Sequence, residues 1–324
     1  MTAPLLEVRG LEVAFPSPAG RLAALRGVDF HVAAGEVLGL VGESGSGKSL
    51  TMLSIMGLLA PNVEVSGSVR LDGEELLGRT EAAMRRYRGR RIAMIFQDPM
   101  TALNPVIPIG DQIVEAIRIH QPGLSRRSAR ERAVELLSQV AIPDPRARAG
   151  QYPFEFSGGM RQRAMIAMAL ANDPELLIAD EPTTALDVTI QAQVIEVMER
   201  LRRDRGIGLI LITHDLGLVA GVADRVAIMY AGRVVEQAAT AEVFYRPRHP
   251  YTRRLLASLP RFDDDVDRLA TIDGVPPSPA RRPPGCAFAP RCLDAVDRCA
   301  QDDPLPRRIG ASAVACHRAE ELPA

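Results

Sequence analysis

Residues 42–49 read Gly-Glu-Ser-Gly-Ser-Gly-Lys-Ser, and this stretch decides the fold. It fits the pattern G-x-x-x-x-G-K-[ST] and lies between the apolar run 37–41 and a predicted helix that begins at Leu50. A buried strand that leads through a glycine loop into a helix surrounds one anion with backbone N–H groups and the positive end of the helix. The sequence therefore predicts a binding site for a nucleoside triphosphate.

Each type of residue in this loop has a predicted role. The glycines allow the chain to curl without Cβ clashes. Lys48 is expected to reach the β- and γ-phosphates and to assist hydrolysis, and Ser49 is expected to ligate Mg²⁺. The residues of the loop that we assign to the nucleotide are Gly42, Ser44, Gly45, Ser46, Gly47, Lys48 and Ser49.

A second element, at residues 176–181, supplies two carboxylates. It reads Leu-Leu-Ile-Ala-Asp-Glu, an apolar strand that ends in acids. A buried strand of a parallel sheet carries its last residue to the carboxyl edge of the sheet, where ligands bind. We therefore expect Asp180 to hold Mg²⁺, and Glu181 to act as the general base that polarises the attacking water.

A third element opens a predicted helix at residues 156–163, Phe-Ser-Gly-Gly-Met-Arg-Gln-Arg. Ser157 is a good N-cap, and Gly158 and Gly159 expose backbone N–H groups at the positive end of the helix. The sequence thus predicts a second anion site in a chain that already has one.

The composition argues against several classes of function. The chain has 324 residues, 47% of them hydrophobic, and a formal net charge of −1. This balance gives no reason to expect a nucleic-acid partner. No apolar run approaches the ~18–20 residues of a membrane span, and the first residues lack the basic-then-apolar pattern of a signal sequence. We expect a cytoplasmic protein.

Alternating strands and helices predict an α/β fold with a mostly parallel sheet that has helices on both faces. A helix-only stretch at about 99–165 predicts a helical subdomain. We predict a nucleotide-binding domain at 1–245 and a C-terminal extension at 246–324, where prolines crowd and all four cysteines fall. From about 246 we expect a linker, followed by a small C-terminal module. The predicted strands lie at 6–8, 11–15, 28–32, 66–71, 92–96, 176–179, 207–213, 226–230 and 234–235, and the predicted helices at 50–59, 111–119, 126–141, 159–171 and 188–204.

The ordered set of motifs resembles the ATP-binding cassette (ABC) ATPases over about residues 5–240. This family has a RecA-like core with an antiparallel β subdomain and a helical subdomain that carries the signature motif. The motifs that carry the resemblance are the phosphate loop at 42–49, a Q-loop at 96–99 (Phe-Gln-Asp-Pro), the signature at 156–163, the acidic strand at 176–181, a D-loop at 185–187 (Ala-Leu-Asp) and a switch histidine within 212–215 (Ile-Thr-His-Asp).

The resemblance implies a head-to-tail dimer in which Ser157, Gly158 and Gly159 of one protomer cover the ATP of the other. It implies that His214 contacts the γ-phosphate, that Gln97 senses metal and water, and that Asp187 belongs to the nucleotide site. It also implies that Phe15 stacks on adenine, at a position where family members often have Tyr; a core aromatic is the alternative.

The tail narrows the resemblance to ATPases of oligopeptide/dipeptide-type importers, on residues 244–252 and 285–292. This implies ATP hydrolysis that powers peptide uptake at the cytoplasmic face of the membrane. The implied partners are a second ATPase subunit (a sister chain or an identical one), two membrane-spanning permease subunits and, indirectly, an extracytoplasmic binding protein. Uptake of another small solute, such as a nickel chelate, and a soluble ABC ATPase without a transport role remain alternatives.

The cysteines follow the spacing C-x5-C-x6-C-x16-C. Zinc knuckles usually contain a tight C-x2-4-C pair, and none exists here. Four thiolates suit a [4Fe–4S] cluster by ligand number, and the resemblance agrees, because some importer ATPases of this group carry one. A zinc site and unligated thiols remain alternatives. The four residues are Cys286, Cys292, Cys299 and Cys316.

Overall fold

The computed structural model describes residues 3–18, 20–184, 187–259 and 271–322. The chain divides into two compact units. The first contains Gly78–Ile210 together with Val32–Glu36 and the described residues before Leu6. The second contains Leu6–His31, Val37–Leu77 and the described residues after Ile210.

The strands of the described residues are, in chain order, β1 (Leu6–Ser17), β2 (Gly20–Val32), β3 (Val37–Val41), β4 (Glu64–Leu71), β5 (Glu74–Glu75), β6 (Ile92–Ile95), β7 (Leu176–Asp180), β8 (Gly208–Thr213), β9 (Arg225–Tyr230), β10 (Arg233–Ala239), β11 (Arg307–Ile309) and β12 (Ser312–Val314).

The helices are α1 (Lys48–Ile55), α2 (Glu81–Met84), α3 (Pro99–Ala102), α4 (Ile109–His120), α5 (Arg126–Gln139), α6 (Pro145–Arg148), α7 (Gly158–Ala169), α8 (Val188–Arg205), α9 (Leu216–Val222), α10 (Thr240–Tyr245), α11 (Pro250–Ala257) and α12 (Asp297–Gln301). Single 3-10 turns lie at Pro153–Glu155, Pro279–Arg281 and Ala289–Arg291.

The first unit combines parallel strands with a group of helices. β6 and β7 pair in parallel, with Ile92 opposite Leu176 and Ile95 opposite Ala179. Every residue of β7 is buried, as expected for a parallel strand covered on both faces. α4 packs on α5, and both contact α7 through their apolar faces. The signature helix is therefore anchored to a helical layer, while the acidic strand is anchored to the sheet.

The second unit holds two sheets. In the antiparallel sheet the strand order is β2-β1-β4-β5, and Leu6 lies opposite Leu71. In the other, β3 runs parallel to β9, with Val41 opposite Ile228, and β9, β10, β12 and β11 continue in antiparallel order. All five residues of β3 are buried, so the phosphate loop leaves a strand that is fully covered.

These arrangements confirm the predicted α/β class with its parallel strands, antiparallel subdomain and helical signature subdomain. Local boundaries differ. The helix after the phosphate loop was expected at 50–59, but α1 spans Lys48–Ile55, so it begins within the loop motif. β2 covers Gly20–Val32, whereas only 28–32 was expected, because its half-buried outer part has no simple apolar alternation.

The stretch after residue 246 folds in the second unit and shares its hydrophobic core. Tyr251 of α11 and Phe288 are fully buried with Val41, Tyr230 and Val243. A linker was expected to begin at about 246, yet the helix α11 (Pro250–Ala257) lies there. The predicted boundary between 245 and 246 stays a prediction, and residues 260–270 of the expected linker lie outside the described residues.

Candidate active site

The phosphate loop joins β3 to α1 in the second unit. Lys48 is buried, and its Nζ donates to the carbonyl oxygens of Gly42 at 2.7 Å and of Glu43 at 3.0 Å. A third contact, 3.5 Å long, reaches Ser46 Oγ. The ammonium group therefore lies within the curve of the loop, the position from which a P-loop lysine reaches phosphate oxygens.

Two glycines of the loop are required for different reasons. A Cβ at Gly42 would lie 2.2 Å from the carbonyl oxygen of Met229 in β9, so only glycine allows this approach of loop and sheet. Gly47 has a φ of 108° and precedes the first residue of α1. Ser44, Gly45 and Ser49 are exposed, whereas Ser46 is buried. The exposed residues form the side of the loop that is open to a ligand.

The acidic strand brings two predicted site residues together in the first unit. Asp180 ends β7 and is 7% exposed, and Glu181 follows it with a left-handed φ of 46°. Glu181 Oε2 accepts hydrogen bonds from Gln97 Nε2 at 2.8 Å and from Thr184 Oγ1 at 2.9 Å. Strained backbone of this kind clusters at functional sites. The carboxylate that we predicted as general base is thus oriented by two neutral donors.

The signature motif has the predicted cap. Ser157 Oγ accepts the backbone N–H of Met160 at 3.3 Å and begins α7. Ser157 and Gly158 are exposed, whereas Gly159 packs against α8, where an added Cβ would lie 2.4 Å from Ile190 Cγ2. The first two residues of the motif's Ser-Gly-Gly stretch are therefore open to solvent, and the third is packed against a helix.

The remaining predicted residues are distributed over both units. Asp187 caps α8 by accepting the N–H of Ile190 at 2.9 Å, and Ala185 and Leu186 of the D-loop lie outside the described residues. His214 is exposed directly after β8, and Phe15 is half-buried on β1. Gln97, Asp180, Glu181, Asp187 and the signature serine and glycines belong to the first unit, whereas the phosphate loop, Phe15 and His214 belong to the second.

The four cysteines line one small cavity in the second unit, together with His249 and His317. Burial raises the pKa of Cys286 and of Cys292 to about 11, and it also raises the pKa of Cys316. Within the described part of the chain, no group of three or more His, Cys, Asp or Glu side chains is arranged to hold a metal ion. The thiols therefore share a cavity without forming a single-ion site.

Three residues of the second unit were missed by the sequence analysis. Arg291 forms an ion pair with Glu43 of the phosphate loop at 2.6 Å, and the hydroxyl of Tyr251 accepts the backbone N–H of Glu43 at 3.0 Å. Glu43 and Arg291 are separated by 248 residues. No spacing rule links positions so far apart. The only sequence signal was a carboxylate inside a loop that is predicted to bind phosphate.

A phosphate loop after a buried parallel strand, an acidic strand and a serine-capped signature helix define an ATP-binding cassette ATPase. Residues 25–184 match the family model described as ABC transporter, and residues 235–299 match the one described as oligopeptide/dipeptide transporter, C-terminal region. Among the described residues, no helix has both the length and the apolar character needed to span a membrane.

Relatives agree over nearly the whole chain. A putative peptide import ATP-binding protein of Brucella abortus (strain 2308) is 52% identical over 97% of this chain and 95% of its own length. One of Brucella melitensis (strain 16M) is 55% identical over 91% of both chains. The oligopeptide transport ATP-binding protein OppD of Mycobacterium tuberculosis is 52% identical over 93% of this chain and half of its own length.

Solved structures give the same fold. The dimeric ATP-binding cassette MJ0796, bound to ADP and phosphate after hydrolysis, superposes with a TM-score of 0.65, with 25% identity over 72% of this chain and 98% of that one. A structure of cbiO1 from Clostridium perfringens gives 0.64, with 27% identity over 76% and 92%. The chain belongs to the peptide import ATP-binding proteins of the ABC transporter family, and it is an ATPase.

Proposed function

We propose that this chain powers the uptake of di- or oligopeptides by hydrolysing ATP as a subunit of a membrane importer. The observation that carries the proposal is the match of the C-terminal region to oligopeptide/dipeptide transporters, in a chain that also carries the ABC motifs in order. Uptake of another small solute, such as a nickel chelate, is the alternative that the experiment must separate.

In the proposed mechanism the phosphate loop binds the triphosphate, and Lys48 neutralises the β- and γ-phosphates. Ser49, Gln97 and Asp180 would hold Mg²⁺, which would neutralise negative charge on the phosphates when bound. A water molecule attacks the γ-phosphorus, its proton passes to Glu181, and ADP leaves with the bridging oxygen. The hydrogen bond from Gln97 to Glu181 supports this role, because it holds the carboxylate at the carboxyl edge of the sheet.

The other predicted residues complete the site. His214 contacts the γ-phosphate, Phe15 stacks on adenine, and Asp187 borders the nucleotide. Ser157, Gly158 and Gly159 act on the ATP of the opposing protomer. The exposed start of α7 supports this assignment, as does the dimeric form of the related cassette MJ0796.

The proposed partners are a second ATPase subunit, two permease subunits and a substrate-binding protein on the far side of the membrane. We propose that residues 98–105 form part of the surface that receives the permease at the cytoplasmic face. Large apolar side chains support this: Phe96, Met100 and Val106 are 42%, 55% and 77% exposed around that stretch. Exposed apolar surface of this kind is typical of protein–protein contacts.

We further propose that Cys286, Cys292, Cys299 and Cys316 hold a [4Fe–4S] cluster. Four thiols around one cavity give the ligand number of such a cluster. When bound, the cluster would cross-link the C-terminal extension. The cysteine thiols must lose their protons before they bind iron, and burial opposes this loss because it raises the pKa of Cys286 and Cys292.

Uptake measurements test the peptide assignment. Cells that lack the subunit, complemented with the wild-type chain or with Glu181→Gln, are given labelled di- and oligopeptides and, separately, a nickel chelate. We expect peptide uptake with the wild-type chain and none with the variant. Nickel-chelate uptake without peptide uptake would replace the proposed substrate class while leaving the ATPase assignment intact.

Metal analysis tests the cluster. Anaerobically purified protein should contain about four irons and matching sulfide and absorb near ~400 nm. Cys299→Ser should lose iron, whereas His317→Ala, which alters the same cavity without removing a thiol, should retain it. Stoichiometric zinc, or protein without either metal, would contradict the proposal.

A further inference from the structure

Arg291 is a buried cation whose hydrogen-bonding capacity is fully used. Its side chain is 5% exposed. Nη1 and Nη2 donate to the two carboxylate oxygens of Glu43 at 2.6 and 3.0 Å. The three remaining N–H groups donate to the carbonyl oxygens of Asp273 and Ile272 and to the hydroxyl of Tyr230. All five guanidinium donors therefore have partners, an arrangement that only arginine can supply.

Glu43 is held at three separate groups. Its carboxylate binds Arg291, its backbone N–H donates to the hydroxyl of Tyr251 at 3.0 Å, and its carbonyl oxygen accepts from Lys48 Nζ at 3.0 Å. Two of these three partners lie in the C-terminal part of the chain, and the third is the phosphate-binding lysine. A shift of Glu43 would therefore alter the position of the loop and the contacts of Lys48 together.

Arg291 is also the sequence neighbour of Cys292, which lines the cysteine cavity. It ends the 3-10 turn Ala289–Arg291 and directly precedes Cys292, whose N–H donates to the carbonyl oxygen of Ala289 at 3.2 Å. The same residue thus belongs to the backbone that presents a thiol and to the contacts that hold the phosphate loop. Arg298, which directly precedes Cys299, is instead largely exposed, and it forms an ion pair with Asp302 at the end of α12.

We propose that Arg291 and Tyr251 are positioning residues for ATP binding: by holding Glu43 they fix the phosphate loop, so that nucleotide affinity depends on the C-terminal stretch that carries the cysteines. This inference rests on the proposal that residues 42–49 bind ATP. It extends that proposal, because it assigns the C-terminal stretch a role in the nucleotide site that does not depend on what the cysteines bind.

A two-pronged guanidinium–carboxylate pair whose guanidinium is buried resists rearrangement, because separating it leaves the buried charge of Arg291 without compensation. The pair also removes the repulsion that an uncompensated Glu43 carboxylate would exert on a triphosphate in the adjoining loop. Both effects act on binding of the nucleotide. Neither places Arg291 or Tyr251 at the reacting phosphorus, so the rate of the chemical step should be unaffected.

The test compares two conservative variants by direct titration of the full-length protein with Mg-ATP. Arg291→Lys retains the charge but cannot reproduce the two-pronged contact. Tyr251→Phe keeps the ring in its buried position and removes only the acceptor of the Glu43 N–H. Each should raise the Kd for Mg-ATP about threefold to tenfold, as expected for the loss of one such hydrogen bond, and leave kcat at saturating ATP within about twofold.

Arg298→Lys is the matched control and should leave the Kd unchanged. Thermal unfolding shows which variants are folded. If Arg291→Lys is not folded, the affinity of Tyr251→Phe for Mg-ATP tests the inference. Wild-type affinity in the folded variants, or a loss of kcat at unchanged Kd, would overturn the inference. Lys48→Ala tests the loop assignment separately from the inference. If Lys48→Ala abolishes ATP binding while Arg291→Lys and Tyr251→Phe bind with wild-type affinity, only the inference fails. If it leaves binding intact, the loop assignment fails and the inference fails with it.

Discussion

Gln97 Nε2 donates to Glu181 Oε2 at 2.8 Å, and this bond joins the residues that follow two neighbouring parallel strands. Ile95 at the end of β6 lies opposite Ala179 of β7, so the two side chains emerge from the same carboxyl edge of the sheet. The contact orients the proposed general base from within the first unit. Because the proposed base and the proposed metal-sensing residue are different side chains, each can be replaced while the other is kept.

Glu181→Gln should abolish hydrolysis and preserve ATP binding. The amide keeps the size and the contact with Gln97 but cannot accept a proton, and the loss of a general base costs about 100-fold or more in rate. Phosphate release and direct titration with Mg-ATP measure the two properties. Glu131→Gln, on the exposed face of α5, is the control and should retain turnover. Retained turnover in Glu181→Gln would remove Glu181 from the base role.

Gln97→Ala should lower kcat about tenfold while changing ATP affinity less. The substitution removes the hydrogen bond from Gln97 to Glu181, so the carboxylate samples orientations that do not face the water. Steady-state hydrolysis over a range of Mg²⁺ and ATP concentrations measures this effect, and Gln301→Ala serves as an exposed control. An unchanged kcat would show that the contact with Gln97 does not orient the base.

Ser157 and Ser125 allow the capping and catalytic roles of the signature motif to be separated. Each caps a helix of the first unit, with Oγ accepting the N–H three residues later at 3.3 and 3.0 Å. Replacement of either by alanine should cost about 1 kcal/mol of stability. Ser157→Arg should block hydrolysis, because the arginine side chain would enter the nucleotide site of the opposing protomer. Ser125→Arg should leave hydrolysis intact.

The measurement for this pair is the rate of hydrolysis by the assembled ATPase, together with thermal unfolding of each variant. Equal loss of activity in Ser157→Arg and Ser125→Arg would indicate that helix damage, and not a shared site, is responsible.

Local signals explain which parts of the molecule could be predicted. The apolar run at 176–179 predicted β7 to within one residue, because a short buried strand can be recognised from its own apolar composition. The hairpin β11–β12 was not anticipated. Its strands have three residues each, and their register comes from β10, where Glu236 lies opposite Val314. Tertiary pairing of this kind leaves no periodic pattern in the sequence.

The same distinction holds for the candidate site. The loop and the acidic strand are motifs because each is continuous in sequence. The ion pair between Arg291 and Glu43 joins residues that lie 248 positions apart in the chain. The second contact to Glu43 comes from Tyr251, which is buried although it lies in a proline-rich stretch that was expected to be a linker. The composition of a segment indicates its local backbone preference, but it does not indicate whether a side chain of that segment is buried in a distant hydrophobic core.

Gly42→Ala should abolish nucleotide binding through packing alone. Its Cβ would lie 2.2 Å from the carbonyl oxygen of Met229 and 2.8 Å from Ser46 Oγ, so either the loop or β9 must move. Moving the carbonyl of Met229 would disrupt the pairing and packing of β9, so we expect the loop to shift instead. Gly123→Ala is the matched control, because a Cβ there meets no atom within 4 Å and its φ is not positive. Titration with Mg-ATP and thermal unfolding should show Gly42→Ala folded and unable to bind, and Gly123→Ala indistinguishable from the wild-type chain. Wild-type affinity in Gly42→Ala would mean that the contact between the loop and β9 does not fix the phosphate site.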